Sequence, residues 1–201
     1  MKTPWFDGAA RAWLALVLLL LPLAAPAAPA APLDLATVTQ LLAQRKTGVA
    51  RYTEERFVSG FDGPLRSSGT LSHAPPDRFA RVTLEPRAES MVVEGNTLTL
   101  KRGGRTRQIT LDTMPELTAL IEAVRSTLTG NAATLEKHFH VALEGSVARW
   151  TLTLVPRDRR LATQVREIKI TGLHSEMRVV ELWLAGGDRS VMSIEAVQAP
   201  Q

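Results

Sequence analysis

A run of short alternating segments between residues 48 and 111 constrains the fold more than any other feature of the chain. From Val49 onward, polar and apolar side chains alternate with a period of two, which is typical of β-strands whose two faces have different surroundings. Turn-forming residues, such as those at 60–64 and 95–96, interrupt the run at short intervals. Because neighbouring strands joined by short turns pair antiparallel, this stretch predicts a meander and excludes a parallel sheet.

Three segments have the spacing of amphipathic helices instead. Asp34 can cap the first helix, in which Leu35, Val38 and Leu42 fall on one stripe. The second helix begins with Pro115 in its first turn and ends at Gly130. A short third helix covers residues 132–137, after which the alternation returns and continues to residue 197. The apolar stripe of the second helix consists of Leu117, Leu120, Ile121, Val124 and Leu128.

The order of the predicted elements is a helix, a meander, two helices and a second meander. About ten strands and about three helices in this order predict an α+β fold. We expect one large curved antiparallel sheet, with the helices gathered on one of its faces. A stripe of apolar residues on a helix has to be buried against another element, and the sheet offers that surface.

The first 30 residues have the layout of a cleaved secretory signal peptide. Lys2 and Arg11 flank a charged region, residues 12–23 are apolar, and Ala-Pro repeats at 24–32 offer small residues for cleavage. A membrane anchor is the alternative, but about 20 apolar residues are needed to span a bilayer, and Pro22 interrupts this run. We therefore expect residues 31–201 to form a single exported domain.

The composition excludes several classes of function. The chain has no cysteine, so the domain must be held together by its core without disulfides. The formal net charge is +4, and export makes a nucleic-acid partner unexpected. No known catalytic motif of a hydrolase, metalloprotease or β-lactamase occurs, so we expect neither catalysis nor a cofactor.

Two polar features have alternative interpretations. His138 and His140 would share a face if both lay on one strand, which would allow a metal pair, but a half-exposed strand without metal is the simpler interpretation. The basic turns at 102–105 and 157–160 can meet lipid phosphate or an acidic partner. Solvated hairpin tips are the more common meaning of such turns.

Several weak motifs follow one another along the mature chain. These motifs are GVARYTEE at 48–55, GTL at 69–71, PDRF at 76–79, PRAESMVVEGNTL at 86–98, WTLTLVP at 150–156 and GDRSV at 187–191. In this order they resemble the LolA family of periplasmic lipoprotein carriers, and the resemblance extends over most of the mature chain.

The resemblance implies an incomplete β-barrel whose concave face is closed by helices around an apolar cavity that receives acyl chains. It implies that the second helix is a lid, with Gly130 and Asn131 as a hinge. The predicted cavity residues are Tyr52, Leu71, Phe79, Leu98, Leu100, Leu117, Leu120, Ile121, Val124, Trp150, Leu152 and Leu154.

The chain departs from the family pattern at three places in the first meander. Ala74-Pro75 stands where the family has a basic residue that holds the lid, and the nearest base is Arg78. Glu55 replaces a glutamine, and Arg81 replaces an aromatic residue. Arg78 and Arg81 are therefore the candidates for contact with a lipid headgroup or with the lid. The strand at 78–85 leaves two alternatives open: a bulge, or an inward face formed by Val82 and Leu84.

The resemblance implies a monomeric periplasmic carrier that moves a lipoprotein or another lipid toward the outer membrane. Its expected partners are a releasing complex in the inner membrane and an acceptor at the outer membrane. The alternative is a non-catalytic regulatory module with the lipid-binding fold of RseB, which binds a membrane-spanning anti-sigma factor. Because LolB-type acceptors carry a lipid-modified cysteine, the absence of cysteine favours the soluble carrier.

Overall fold

The structure is a computed structural model of the chain. It describes residues 33–44, 48–74, 77–113 and 115–197, without the side chains of residues 115–117, 119 and 120. The expected signal peptide, residues 1–30, lies outside the described residues. The described residues all belong to one compact unit by their internal contacts.

The described residues contain eleven strands in one open, curved antiparallel sheet. In chain order, their bounds are β1 Gly48–Phe57, β2 Leu65–Ala74, β3 Arg78–Glu85, β4 Glu89–Glu94, β5 Thr97–Arg102, β6 Arg105–Thr110, β7 Phe139–Ser146, β8 Arg149–Pro156, β9 Val165–Leu173, β10 Glu176–Leu184 and β11 Arg189–Ala196.

The strand order in the sheet is β6-β5-β4-β3-β2-β1-β11-β10-β9-β8-β7. Each meander occupies one half of the sheet, and the first and last strands join the halves through pairs such as Tyr52 with Ile194. The two edge strands, β6 and β7, are consecutive in the chain. The segment between them must therefore run from one edge of the sheet to the other, and it contains two of the helices, Pro115–Thr129 and Ala132–His138.

Four α-helices lie in the described part of the chain: α1 Leu35–Ala43, α2 Pro115–Thr129, α3 Ala132–His138 and α4 Arg159–Ala162. A 3-10 helix, Leu111–Thr113, precedes α2. Asp34 caps α1 by accepting a hydrogen bond from the Thr37 amide at 2.7 Å, as its sequence position predicts. Asn131 caps α3 by accepting from the Thr134 amide at 3.1 Å.

The predicted α+β class and antiparallel pairing agree with this architecture, while the counts differ slightly. Eleven strands replace the expected ten. The fourth helix, α4, lies in the segment that we interpreted as a basic turn, where the Asp158 carboxylate accepts a hydrogen bond from the Leu161 amide at 2.9 Å. This capping bond turns the basic segment into a short helix and buries Leu161.

One face of the sheet packs against the helices, and we call it the inner face. Directly paired residues of neighbouring strands lie on the same face, so the register identifies its members. In the second meander, Leu143, Leu152, Ile170 and Val180 follow one another across β7–β10.

A large apolar cluster fills the inner face over β7–β10. It contains twelve buried residues, contributed by β7, β8, β9 and all four helices, and partly buried residues of β10 pack against them. Trp150 is a fully buried member of this cluster, and its indole N–H donates to the carbonyl of His174 at 2.9 Å. The indole ring covers Gly172 so closely that a Cβ atom at this position would overlap with it. This half of the domain is therefore tightly packed.

Candidate functional site

A small apolar cluster lies on the other half of the inner face, over β3–β6. Val93, Leu98 and Leu111 are buried in it. Phe79, Leu100, Ile109 and Ile121 pack against them but remain partly exposed. The small cluster is thus much less completely covered than the large one.

Helix α2 contacts both clusters. Ala123 belongs to the large cluster, while Ile121 packs on the small one. Arg125 fixes the helix to the first meander, because its guanidinium donates to the carbonyl of Gly95 at 3.0 Å. Gly130 ends the helix with a φ of 80°, a left-handed conformation that favours glycine at this position. Helix α2 therefore covers the region between the two clusters.

The strand β3 directs Phe79, Arg81 and Thr83 to the inner face. Thr83 pairs with Gly69, which pairs with Tyr52, and the tyrosine hydroxyl lies 2.7 Å from the Thr83 hydroxyl. The register between β2 and β3 shifts here, because Gly69 pairs with Thr83 but Ser68 pairs with Glu85, which leaves Leu84 as an extra residue on β3. Leu84 is 60% exposed on the outer face, so the alternative in which Leu84 faces inward is wrong.

A polar network separates the two apolar clusters in the middle of the inner face. Arg81 forms an ion pair with Glu54, donates to the Tyr52 hydroxyl at 3.1 Å, and lies over the tyrosine ring with its central carbon 4.8 Å from the ring centroid. Glu54 also accepts hydrogen bonds from Ser190 at 2.5 Å and Ser67 at 3.1 Å. We call these residues, together with Thr83, the central polar network.

The network keeps Glu54 ionised although the carboxylate is mostly buried. Burial alone would raise its pKa, but the hydrogen bond from Ser190, the charge of Arg81 and the hydrogen bond from Ser67 outweigh burial and lower the pKa below the usual 4.5. A satisfied, charged network rigidifies the sheet at this point. It also interrupts the apolar surface between the two clusters.

His73 borders the small cluster from β2. Its ring stacks on Phe79 with centroids 4.9 Å apart and planes 19° from parallel. Burial lowers the pKa of His73 below its usual 6.5, so the ring is neutral at pH 7. A neutral imidazole stacked on Phe79 extends the apolar floor of the small cluster.

The predicted cavity residues fall into several groups. Phe79, Leu98, Leu100 and Ile121 come together in the small cluster. Trp150, Leu152 and Leu154 lie in the large cluster. Tyr52 is buried between the clusters, Leu71 is half-buried on β2, and Val124 is 46% exposed. The side chains of Leu117 and Leu120 lie outside the described residues.

The two candidate bases lie on opposite faces. Arg81 is bound within the central polar network, whereas Arg78 is exposed on the outer face of β3, since it alternates with Phe79. Sequence reasoning missed Glu54 as the partner of Arg81, and Ser67 and Ser190 as the donors to Glu54. The signal was present, because Glu54 shares the strand face of buried Tyr52, and an acid on a buried face needs a partner.

A shallow groove of about 700 Å³ opens beside the central strands. Thr53, Glu55, Ser68 and Glu85 are among the residues that line it. Hydroxyl and carboxylate groups stand in this groove beside the apolar side chains of Pro86 and Val191, so its lining is mixed, whereas the small cluster is apolar.

The histidine pair does not share a strand. His138 is the last residue of α3, and His140 lies in β7. Within the described residues, no group of three or more histidine, cysteine, aspartate or glutamate side chains has an arrangement that could hold a metal ion.

Among the described residues, no helix is both long enough and apolar enough to cross a bilayer.

An open, curved antiparallel sheet with helices on one face and an apolar site beneath them defines the class of half-barrel binding domains. Comparison with known families adds the particular family. The sequence profile described as "Outer membrane lipoprotein carrier protein LolA-like" matches residues 27–198. The chain therefore belongs to the LolA-like family, and the resemblance seen in the sequence is confirmed.

Among solved structures, the chain is similar to a LolA superfamily protein from Nitrosomonas europaea, with 11% identity, 83% of this chain and 93% of that one covered, and a TM-score of 0.43. The chain is also similar to the MucA/MucB complex of Pseudomonas aeruginosa, with 16% identity, 84% of this chain and 59% of that one covered, and a TM-score of 0.45. A putative outer membrane lipoprotein-sorting protein domain from Vibrio parahaemolyticus gives 11% identity, 83% and 93% coverage and a TM-score of 0.40. No curated protein matches the chain.

Proposed function

We propose that the protein is a periplasmic carrier that binds the acyl chains of a lipoprotein or another lipid between the small cluster and helix α2. It then delivers this cargo toward the outer membrane. Membership of the LolA-like family supports the class of function. The partial exposure of the small cluster supports the place of binding.

The unequal packing of the two clusters is the observation on which the proposal rests. Twelve buried residues hold the large cluster, and Leu152 in it is fully buried. The small cluster keeps Phe79, Leu100 and Ile109 partly exposed beneath the helix. Exposed apolar surface next to a covering helix is the surface that a hydrophobic ligand can occupy without disrupting the core.

The energetics of acyl binding agree with a ligand that replaces the contact between helix α2 and the small cluster. Each methylene group removed from water contributes about 0.8 kcal/mol, so eight methylenes contribute about 6 kcal/mol. This is enough to offset the separation of Ile121 from the small cluster when α2 moves. Gly130 and Asn131, which join α2 to α3, form the hinge in this mechanism.

A carrier of this kind acts by exchanging conformations and not by catalysis. It receives cargo from a releasing complex in the inner membrane and gives it to an acceptor at the outer membrane. The domain works as a monomer, without a cofactor or nucleic acid. Residues 1–30 act as the signal peptide that directs export to the periplasm.

The first test compares Phe79→Glu with Leu84→Glu in protein purified from the periplasm. The two residues lie on the same strand but on opposite faces, and Leu84 is already 60% exposed. Organic extraction followed by mass spectrometry measures co-purified acylated material. We expect the wild type and Leu84→Glu to retain it, and Phe79→Glu to lose it while remaining folded by circular dichroism.

Equal retention of acylated material in both variants would show that the acyl site does not lie at the small cluster. Extracts from the wild type without acylated material, even after cross-linking, would refute the carrier function itself. Enrichment of a single-span membrane protein in place of lipid would favour the regulatory alternative.

A further inference from the structure

Three arginines at the edge of the sheet continue the inner face beyond the small cluster. In the hairpin of β5 and β6, Leu98 pairs with Ile109, Leu100 with Arg107, and Arg102 with Arg105. Paired residues share a face, so Arg102, Arg105 and Arg107 lie on the face that carries the small cluster. We call these three residues the basic rim.

The basic rim begins where the apolar surface ends. Leu100 belongs to the small cluster and stands directly opposite Arg107, and side chains in such pairs start about 5 Å apart. A ligand with an apolar chain on Leu100 therefore places its next groups within reach of a guanidinium. The inner face of β3 also has an apolar residue followed by a cation, Phe79 and then Arg81.

The charges of the rim are only partly balanced. Arg102 forms an ion pair with Glu89 at 2.9 Å. Across the described residues, neither Arg105 nor Arg107 has an ion-pair partner, and both are exposed. Arg102 and Arg105 are also directly paired, and like charges in this position repel each other. An anion bound at the rim would relieve this repulsion.

Arg81 differs from the rim in this respect. Its guanidinium is already paired with Glu54 and hydrogen-bonded to Tyr52. A headgroup at Arg81 would have to displace a carboxylate that Ser190 and Ser67 also hold. The rim arginines require no such exchange.

We propose that the cargo is an acyl lipid with an anionic headgroup, phosphate or carboxylate, that Arg105 and Arg107 bind while the chain occupies the small cluster. This assignment rests on the proposed acyl-binding function and adds the charge of the ligand. Arginine suits this role because its planar fork donates two parallel hydrogen bonds to a carboxylate or phosphate.

The test uses two fluorescent probes with the same chain, pyrenedodecanoic acid and pyrenedodecanol, titrated against the full mature protein. The variant Arg105→Gln/Arg107→Gln removes two charges from the rim. The matched control, Arg159→Gln/Arg160→Gln, removes two exposed charges from α4. We expect the rim variant to bind the acid about three- to tenfold more weakly, with little change for the alcohol or in the control.

Salt and competitors sharpen the result. Raising the salt to about 0.5 M should weaken binding of the acid and leave the alcohol unchanged, because exposed charges are screened. Dodecyl phosphate should displace the acid probe, while inorganic phosphate alone should not. Displacement by inorganic phosphate would overturn the assignment in favour of a site for the free ion.

The two proposals fail in different ways. Equal binding of acid and alcohol that is unaffected by the rim variant would refute the anionic headgroup and leave acyl binding intact. An equal loss in the rim variant and the α4 control would also refute it, because the effect would then follow net charge alone. Failure of the wild type to bind either probe would refute the acyl site itself.

Discussion

The ion pair between Glu54 and Arg81 supports a quantitative prediction for Glu54→Gln. Only 14% of the Glu54 side chain and 28% of the Arg81 side chain are exposed. Breaking a fully buried pair costs about 3–5 kcal/mol. Water reaches Arg81 in part, and glutamine can still accept the hydrogen bond from Ser190. We therefore expect Glu54→Gln to lower the free energy of unfolding by about 2 kcal/mol at pH 7.

The same prediction has a defined pH dependence. The pKa of Glu54 is lowered in the folded protein, so its contribution is fully present above the unfolded value of 4.5 and is lost as the pH falls through the folded value. Urea unfolding followed by circular dichroism, repeated from pH 7 to pH 3.5, measures the gap between wild type and variant. The gap should narrow below pH 4.5.

Glu55→Gln is the matched control on the neighbouring position. Glu55 pairs with Arg66 at 2.9 Å, but the two side chains are 45% and 77% exposed. Exposed pairs contribute less than about 1 kcal/mol, so this variant should change stability little. The reasoning is refuted if Glu54→Gln costs no more than Glu55→Gln, or if its cost is the same at pH 7 and pH 3.5.

Two further predictions concern packing. Gly172→Ala should destabilise the domain by at least about 1–3 kcal/mol because the new methyl group overlaps with the Trp150 indole. The control Gly186→Ala, with open space around it, should leave stability unchanged. Thermal unfolding measures both variants, and equal effects would contradict the packing at Trp150. Leu152→Ala should lower the free energy of unfolding by about 2–5 kcal/mol because Leu152 is fully buried. Leu100→Ala should lower it less and should instead weaken binding of pyrenedodecanol. A larger loss of stability at Leu100 would contradict the looser packing of the small cluster.

Much of the architecture was predictable because the spacing of apolar residues in the sequence indicates strands and helices directly. The alternation of Trp150, Leu152 and Leu154 correctly indicated one buried face, and short turns correctly indicated antiparallel neighbours. The structure has eleven strands where about ten were expected, and the short helix α4 was not predicted. A four-residue helix depends on one capping bond, from the Leu161 amide to Asp158, and such a bond leaves almost no periodicity in the sequence.

The candidate site was harder to predict because it depends on pairing between distant strands. Leu98 and Leu100 were assigned to one face, but the continuation of that face to Arg105 and Arg107 follows only from the register of the hairpin. The partnership of Arg81 with Glu54 joins strands separated by β2, so no local pattern reveals it. Alternation assigns a residue to a face, whereas its partners depend on the strand order.

Photo-cross-linking from the small cluster tests the acyl site most directly. A photoreactive phenylalanine analogue replaces Phe79 on the inner face or Leu84 on the outer face of β3, and irradiation in cells is followed by mass spectrometry of the purified protein. We predict an adduct that carries an acyl chain at position 79 and none at position 84. No acyl adduct at position 79, or equal adducts at both positions, would contradict the account.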